Sequence, residues 1–487
     1  MGSIPMKENK RNIKIKTIGG RDYAYDMISY WDKNKKAYGK KSIYLGVVTN
    51  RETREYIPKK QANPDIEPVA KDSAIIQNFG DSYSISKVAE SSAFADVLKN
   101  ILPNDYDTLM SLICHKLIKG TAMQYVESWA LGNAVSTLYP AAQLSSQRIS
   151  DFLKKLGKED VWRKFFKDYI ELVTGEKVGI IIDSTGLPNE INIPLSAWGN
   201  HGGESERETR FLMVVDRISG NPLYFRYAAG NIVDVTTLSN TLAELQQMGV
   251  STSFALVDAG YFSEDNIKEL YGKNIAFLTR LPAGRKLYKS LMQSHQDVEN
   301  AENIVLYGKR ALYVKCVPVD LFGNEGFAYV VCDIKRKGNE VNNFLLAAKE
   351  DKLSNDEITE ALVSKGKFII VSSEKIPTNE VIPLYYTRQS AENLFGVSKC
   401  FLDFLPLRTH NIDTLRGYLM LTFISLLVYI ALKKMLKNEF TVEGALIEMG
   451  NLMCKSFAND TIVSEPTKKM KAVAALIGYM VPMRLGV

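Results

Sequence analysis

Cysteine is scarce in this sequence and scattered. The five cysteines, Cys114, Cys316, Cys332, Cys400 and Cys454, are an odd number with no close pair. Neither a disulfide framework nor a zinc knuckle can be built from them, and free thiols in a reducing compartment are expected. Histidine is rarer still, at four residues. His115, His295 and His410 have no ligand spacing, and no serine or cysteine forms a triad with a histidine, which excludes the common acyl-transfer sites. His201 lies in a polar, glycine-containing stretch, NHGGESERE, read here as a flexible connection. The N-terminus, MGSIPMKENKRNIKIK, has no apolar leader segment, so no secretory signal is expected. Long apolar runs are missing too, apart from GYLMLTFISLLVYIAL between Gly417 and Leu432. That run is shorter than the roughly 20 residues that span a bilayer. It also carries Thr422, Ser425 and Tyr429, so a buried core helix in a cytoplasmic protein is expected.

What is present suits a large globular chain. At 487 residues, 46% hydrophobic and 24% charged, there is material for about three domains of about 150 residues each. The net charge of +6 is unevenly spread. Residues 1–60 hold 15 Lys and Arg against 6 Asp and Glu, a local balance of +9, so the rest of the chain sums to −3. A basic arm of this kind suits the phosphate backbone of nucleic acid, and a solvated terminus explains it equally well. Within it, RNIKIKTI and KSIYLGVVT alternate as short strands do. From about 83 to 174 the apolar spacing becomes helical, with Ser145 a candidate N-cap. Such helices can bind DNA or simply pack together.

The middle of the chain carries the pattern that matters. KVGIIIDSTG reads as a buried strand ending on Asp183, and RFLMVVDRISGNPLYFRYA as two strands around a Gly220–Asn221 turn. A helix follows, DVTTLSNTLAELQQMG, with Asp234 as a possible cap. FALVDAGYF is then a strand leading out to Asp258, SEDNIKELYGKN a helix starting from Ser263, and IAFLTRLP a fifth strand. Strand, strand, strand, helix, strand, helix, strand predicts a mixed sheet with helices on its faces. That order matches the ribonuclease H-like α/β fold. It would place Asp183 and Asp258 side by side at matching positions of neighbouring strands. Further on, YYTRQSAENLFGVSK spaces Tyr385, Arg388, Glu392 and Lys399 so that one helix would carry them in a stripe about 60° wide. Leu394, Val397 and Phe401 fall on the opposite face. An Arg388–Glu392 pair on a solvated helix face would give the same spacing.

These segments together resemble the bacterial insertion-sequence transposases of the DDE type that carry the YREK signature. The resemblance runs from about Val178 to Leu432. IIDSTG supplies the first acid, ALVDAGYF the second and the signature helix the third, while YAAGNIVD (Gly230, Asn231, Asp234) is similar to the family's G-N-x-x-D. It implies a DNA transposase with Asp183, Asp258 and Glu392 as catalytic, metal-holding acids, and Tyr385, Arg388 and Lys399 as contacts to transposon-end DNA. Three carboxylates are hard oxygen donors that select Mg²⁺, or Mn²⁺ as its substitute, and two such ions serve phosphodiester cleavage and strand transfer. Double-stranded DNA (terminal inverted repeats and target) is the implied partner, with a homodimer in the DNA complex and a nucleoid-associated location. A ribonuclease H-like nuclease or a domesticated DNA-binding protein would use much of the same sequence.

The expected organisation follows. Residues 1–60 form a basic unit, 61–174 a helical DNA-binding region, and 175–282 with 379–435 the catalytic core. Residues 283–378 form a mainly β insertion domain and 436–487 a helical C-terminal region. Some related transposases close the cut end into a hairpin with a base stacked on an aromatic side chain. All four tryptophans (Trp31, Trp129, Trp162, Trp198) precede the insertion, so no hairpin is expected here.

Overall fold

The computed structural model describes residues 13–18, 20–32, 37–58, 75–199, 205–232, 234–350, 354–402, 404–405, 407, 409, 411–457 and 460–485. His201 and His410 lie outside them, as do the first twelve residues of the basic arm. The chain divides into two compact units, one running up to Ile75 together with Phe457–Asn459, the other holding the rest.

In the first unit, β1 (Ile13–Ile18), β2 (Arg21–Asp32), β3 (Ala37–Asn50) and β4 (Glu55–Pro58) make an antiparallel sheet in chain order. The alternating stretches predict such strands. Little of this sheet is buried, and it is held by cross-strand rings such as Tyr25 and Tyr44, 5.5 Å apart.

The second unit begins within β5 (Ile75–Asn78), which leads into a helical region. Its helices are α1 (Gly80–Glu90), α2 (Ala95–Ile101), α3 (Tyr106–Ile118), α4 (Val126–Leu131), α5 (Val135–Leu138), α6 (Ser146–Leu156) and α7 (Glu159–Val173). Ser145 stands at the N-cap of α6, although its hydroxyl makes no capping bond. Ile149, Phe152, Leu153 and Leu156 give α6 one buried stripe.

Next come β6 (Val178–Pro188), β7 (Ala197–Gly199), β8 (Glu206–Asp216), β9 (Pro222–Ala229), α8 (Leu238–Gln247), β10 (Thr252–Val257), α9 (Glu264–Gly272) and β11 (Ala276–Arg280). Apart from the short β7, this is the order the sequence predicts. Across the sheet five of them lie β9–β8–β6–β10–β11, with β10 parallel to both β6 and β11 and the β6/β8 and β8/β9 pairs antiparallel. Ser263 caps α9, its hydroxyl accepting from the Asn266 N–H.

The inserted residues correct one expectation. They comprise α10 (Lys286–Ser294), β12 (Ile304–Tyr307), β13 (Arg310–Asp320), β14 (Glu325–Asp333), α11 (Ile334–Glu350), α12 (Asn355–Val363) and β15 (Lys367–Ser372). Their strands build no sheet of their own. β15 pairs antiparallel with β11, and β14, β13 and β12 continue outward, so one ten-stranded sheet crosses the whole unit. The cause is the open edge of β11, whose unpaired N–H and C=O groups need a partner that the apolar run KFIIVS supplies. The insert is also as much helical as β.

The chain then forms α13 (Thr378–Tyr386), α14 (Gln389–Cys400) and α15 (Ile412–Met435). By length and composition α15 could cross a membrane, but 78% of its apolar window is buried within the protein, as the sequence predicts for a core helix. It meets α6 backbone to backbone: a Cβ on Gly417 would overlap the Leu153 carbonyl oxygen, and one on Gly157 the Asp413 carbonyl oxygen. The C-terminal region is mixed rather than purely helical. The strands β16 (Met453–Phe457), β17 (Asp460–Val463) and β18 (Arg484–Leu485) alternate with α16 (Val442–Gly450) and α17 (Lys468–Ile477). Runs of two to five residues are too short for periodicity to reveal.

Candidate active site

Asp183 lies within a strand rather than at its end. β6 continues five residues beyond it, paired with β8, where Asp183 faces Met213. The parallel neighbour β10 stops at Val257, opposite Ile182, so the next residue, Asp258, arrives beside Asp183. This is the juxtaposition the strand order predicts. It follows from two parallel strands in register, one of which turns away while the other runs on.

The third acid arrives by a route the spacing did not reveal. Tyr385 to Lys399 is not one helix, because the backbone breaks between α13 and α14 at Thr387–Arg388. Here the bonds tighten to i,i+3: Arg388 N–H donates to the Tyr385 carbonyl (3.3 Å) and Ala391 N–H to the Arg388 carbonyl (3.0 Å). The Thr387 hydroxyl donates to the Leu384 carbonyl at 2.6 Å, a local bond that competes with helical hydrogen bonding. Tyr385 is consequently turned inward and buried, its ring 6.4 Å from that of Phe368. Glu392 remains exposed, while Leu394 and Phe395 pack into the core.

The Arg388 guanidinium stands where the three acids converge. Its Nη1 lies 3.3 Å from Asp183 Oδ2 and 3.3 Å from Asp258 Oδ1, and its Nη2 lies 2.7 Å from Glu392 Oε1. One positive charge thus faces three negative ones. Burial is the largest influence on Asp183 and raises its pKa to about 7. Arg388 pulls it back down, and the negative charges of Asp258 and Glu392 add to the rise. Burial disfavours the Arg388 charge as well, but its carboxylate neighbours, Asp258 first, outweigh this and hold its pKa above the usual value.

Lys399 reaches the same face of β6. Its Nζ donates to Thr185 Oγ1 (2.7 Å) and to the Gly186 carbonyl (2.9 Å). Burial lowers its pKa, an effect that Glu208 and Glu206 oppose. No sequence signal marks these two glutamates, which sit in the polar stretch that reads as a flexible connection. From Glu206 onward that stretch is β8, and Glu208 is fully buried, 3.7 Å from Arg210. The G-N segment packs directly on it: a Cβ on Gly230 would overlap the Glu208 carbonyl oxygen and one on Gly199 its carboxylate. Asn231 is exposed, and the Asp234 side chain lies outside the described residues. Of the tryptophans, Trp162 is buried and Trp129 packs against the core, whereas Trp31 and Trp198 are exposed.

A family model described as "Transposase DDE domain" matches residues 174–428, more than half of the chain. The chain belongs to that family. No curated protein matches it. Among solved structures it is similar to the cryo-EM structure of piggyBac transposase synaptic complex with hairpin DNA. There the identity is 10% and the TM-score 0.43, over 83% of this chain and 82% of that one.

The matched span of this DDE-family chain contains Asp183, Asp258 and Glu392. Among the described residues no three His, Cys, Asp or Glu side chains stand close enough together, as placed, to hold a metal ion. Arg388 accounts for this in the present case, since its guanidinium separates the three carboxylates. The donor set nonetheless suits a hard divalent cation: three carboxylates on separate elements, with a charge deficit that a second cation would correct.

Proposed function

We propose that this chain is a DNA transposase of the insertion-sequence type. It would cleave the ends of a mobile element and join the freed 3′-hydroxyl to target DNA. The five strands β9–β8–β6–β10–β11 are its ribonuclease H-like core, and Asp183, Asp258 and Glu392 its catalytic acids. The observation that carries this reading is the meeting of three carboxylates from separate elements on one guanidinium.

Asp183, Asp258 and Glu392 would hold Mg²⁺ or Mn²⁺, two ions in the full site. When bound, such ions activate the attacking oxygen and stabilise the leaving one. The residues around them have their own tasks. Arg388 keeps the acids together in the free protein and, being planar with several donors, can turn to a phosphate oxygen when DNA enters. Lys399, anchored to Thr185 and Gly186, puts an ammonium next to the strand that carries Asp183. Burial raises the Tyr385 pKa, so its hydroxyl stays protonated and can donate to DNA. Tyr385, Arg388 and Lys399 are thereby the contacts to the transposon end. The basic N-terminal unit and the helices of 75–174 supply further duplex DNA contacts, in a homodimer on the cytoplasmic nucleoid. Deleting residues 1–60 should weaken DNA binding several-fold and flatten its salt dependence, because fewer counterions are then released.

The experiment is direct. Purified protein, DNA carrying the inverted repeats that flank its own gene, and Mg²⁺ should yield cut ends with a free 3′-hydroxyl and strand-transfer products. Cleavage without joining would instead assign a nuclease.

A further inference from the structure

Beyond the acids, the second unit carries a basic groove of about 970 Å³ where the inserted region meets the end of β11. Arg280, Lys289, Arg336, Lys365 and Lys367 line it, against a single carboxylate, Glu340. Arg336 pairs with Glu340 at 2.6 Å. Among the described residues the other four cations make no ion pair, and Lys367 is only 7% exposed. Five cations around one carboxylate give the groove a positive field that favours an anion. The groove also offers rings: Lys365 Nζ lies 4.2 Å over Phe344, and Tyr288 forms part of the wall.

Its position gives the anion an identity. Arg280 follows Thr279, whose hydroxyl donates to the Asp258 carbonyl at 3.2 Å. The Arg280 guanidinium lies 5.4 Å over the Phe368 ring, which is next to Tyr385. The groove therefore begins beside the second acid and leads away from it. We infer that this groove holds the sugar–phosphate backbone of the DNA strand as it leaves the catalytic acids. Its cations contact phosphates, and Tyr288 and Phe344 meet sugars or bases. This rests on the transposase reading above, which assigns no residue of the inserted region to DNA.

Lys289 and Lys365 can be changed without touching the acids or their neighbours. The test measures binding of a fluorescent duplex, carrying the element's end and its flank, by wild type, K289E/K365E and the charge-keeping K289R/K365R. K289E/K365E should bind about tenfold or more weakly near 0.1 M salt. Its plot of log affinity against log salt should flatten by about two, one for each lost phosphate contact. K289R/K365R should bind as wild type does. The difference should vanish on a duplex trimmed back to the scissile phosphate. Unchanged affinity and slope in K289E/K365E, with wild type still binding, would overturn the groove and leave the transposase reading intact. A difference that persists on the trimmed duplex would overturn the assignment to the departing strand. Wild type that binds no DNA at any salt would overturn both.

Discussion

At the end of β10 three carboxylates share one guanidinium, whereas two strands further along the same sheet five cations line a groove that holds one carboxylate. Both places are out of balance, in opposite senses, and each would favour a different ligand. Three converging carboxylates would accept a small, hard divalent ion. The groove, its cations spread over a large cleft, would accept anions spaced along a chain. Arg388 belongs to both halves of the comparison, a cation among acids that can exchange its partners for phosphate.

The contrast is broken most severely at the acids. Asp183→Asn, Asp258→Asn and Glu392→Gln should each lower Mg²⁺-dependent cleavage by roughly a thousandfold or more, on the order of 4 kcal/mol in the barrier. DNA binding, measured by mobility shift, should remain close to that of wild type. Full-rate cleavage by any one of these folded variants removes that residue from the set. Arg388→Ala should cost about a hundredfold in cleavage, with Arg388→Lys recovering only part of it, since an ammonium lacks the planar fork that meets several oxygens. Equal activity of the alanine and wild-type proteins would reduce Arg388 to a neutralising counterion.

The smallest effect is on stability, and its sign follows from Asp183. The folded state raises that carboxyl from 3.8 to about 7. Between those values the folded protein holds a proton that the unfolded chain releases, so stability falls as pH rises through the window. Below pH 4 both states are protonated and nothing is lost. In EDTA, Asp183→Asn should therefore melt at a higher temperature than wild type at pH 8, with the gap closing at pH 4. Adding Mg²⁺ should raise the melting temperature of wild type more than that of the variant. A gap that is the same at both pH values would show that burial of this charge is not its cause.

The core of this site was legible because its signals are local. Apolar runs ending near Asp183 and Asp258, and a helix-like spacing around Glu392, are visible in a few residues each. The break at Thr387–Arg388 is not, since the i,i+3 backbone bonds that mark it leave no trace in the apolar spacing. The burial of Glu208 was hidden by its polar neighbours, because a strand edge under a glycine loop need not alternate. Least legible was the attachment of β15 to β11: strand runs announce themselves, but not their partners. The groove depends on that pairing, because its cations span residues 280–367 and only the shared sheet brings them together.

That shared sheet also sets a length. Adjacent strands lie about 4.8 Å apart and residues advance about 3.3 Å along a strand. The β11–β15 ladder holds Arg280 against Ile370, and Phe368, two residues back along β15 on the same face, lies under its guanidinium. If the acids cut DNA and the groove holds its backbone, the interval between the two would be set by hydrogen bonds rather than by a hinge. Such a ruler has coarse graduations. Sliding β15 by one residue would turn its side chains to the opposite face, so the interval can change only in steps of two residues, about 6.6 Å.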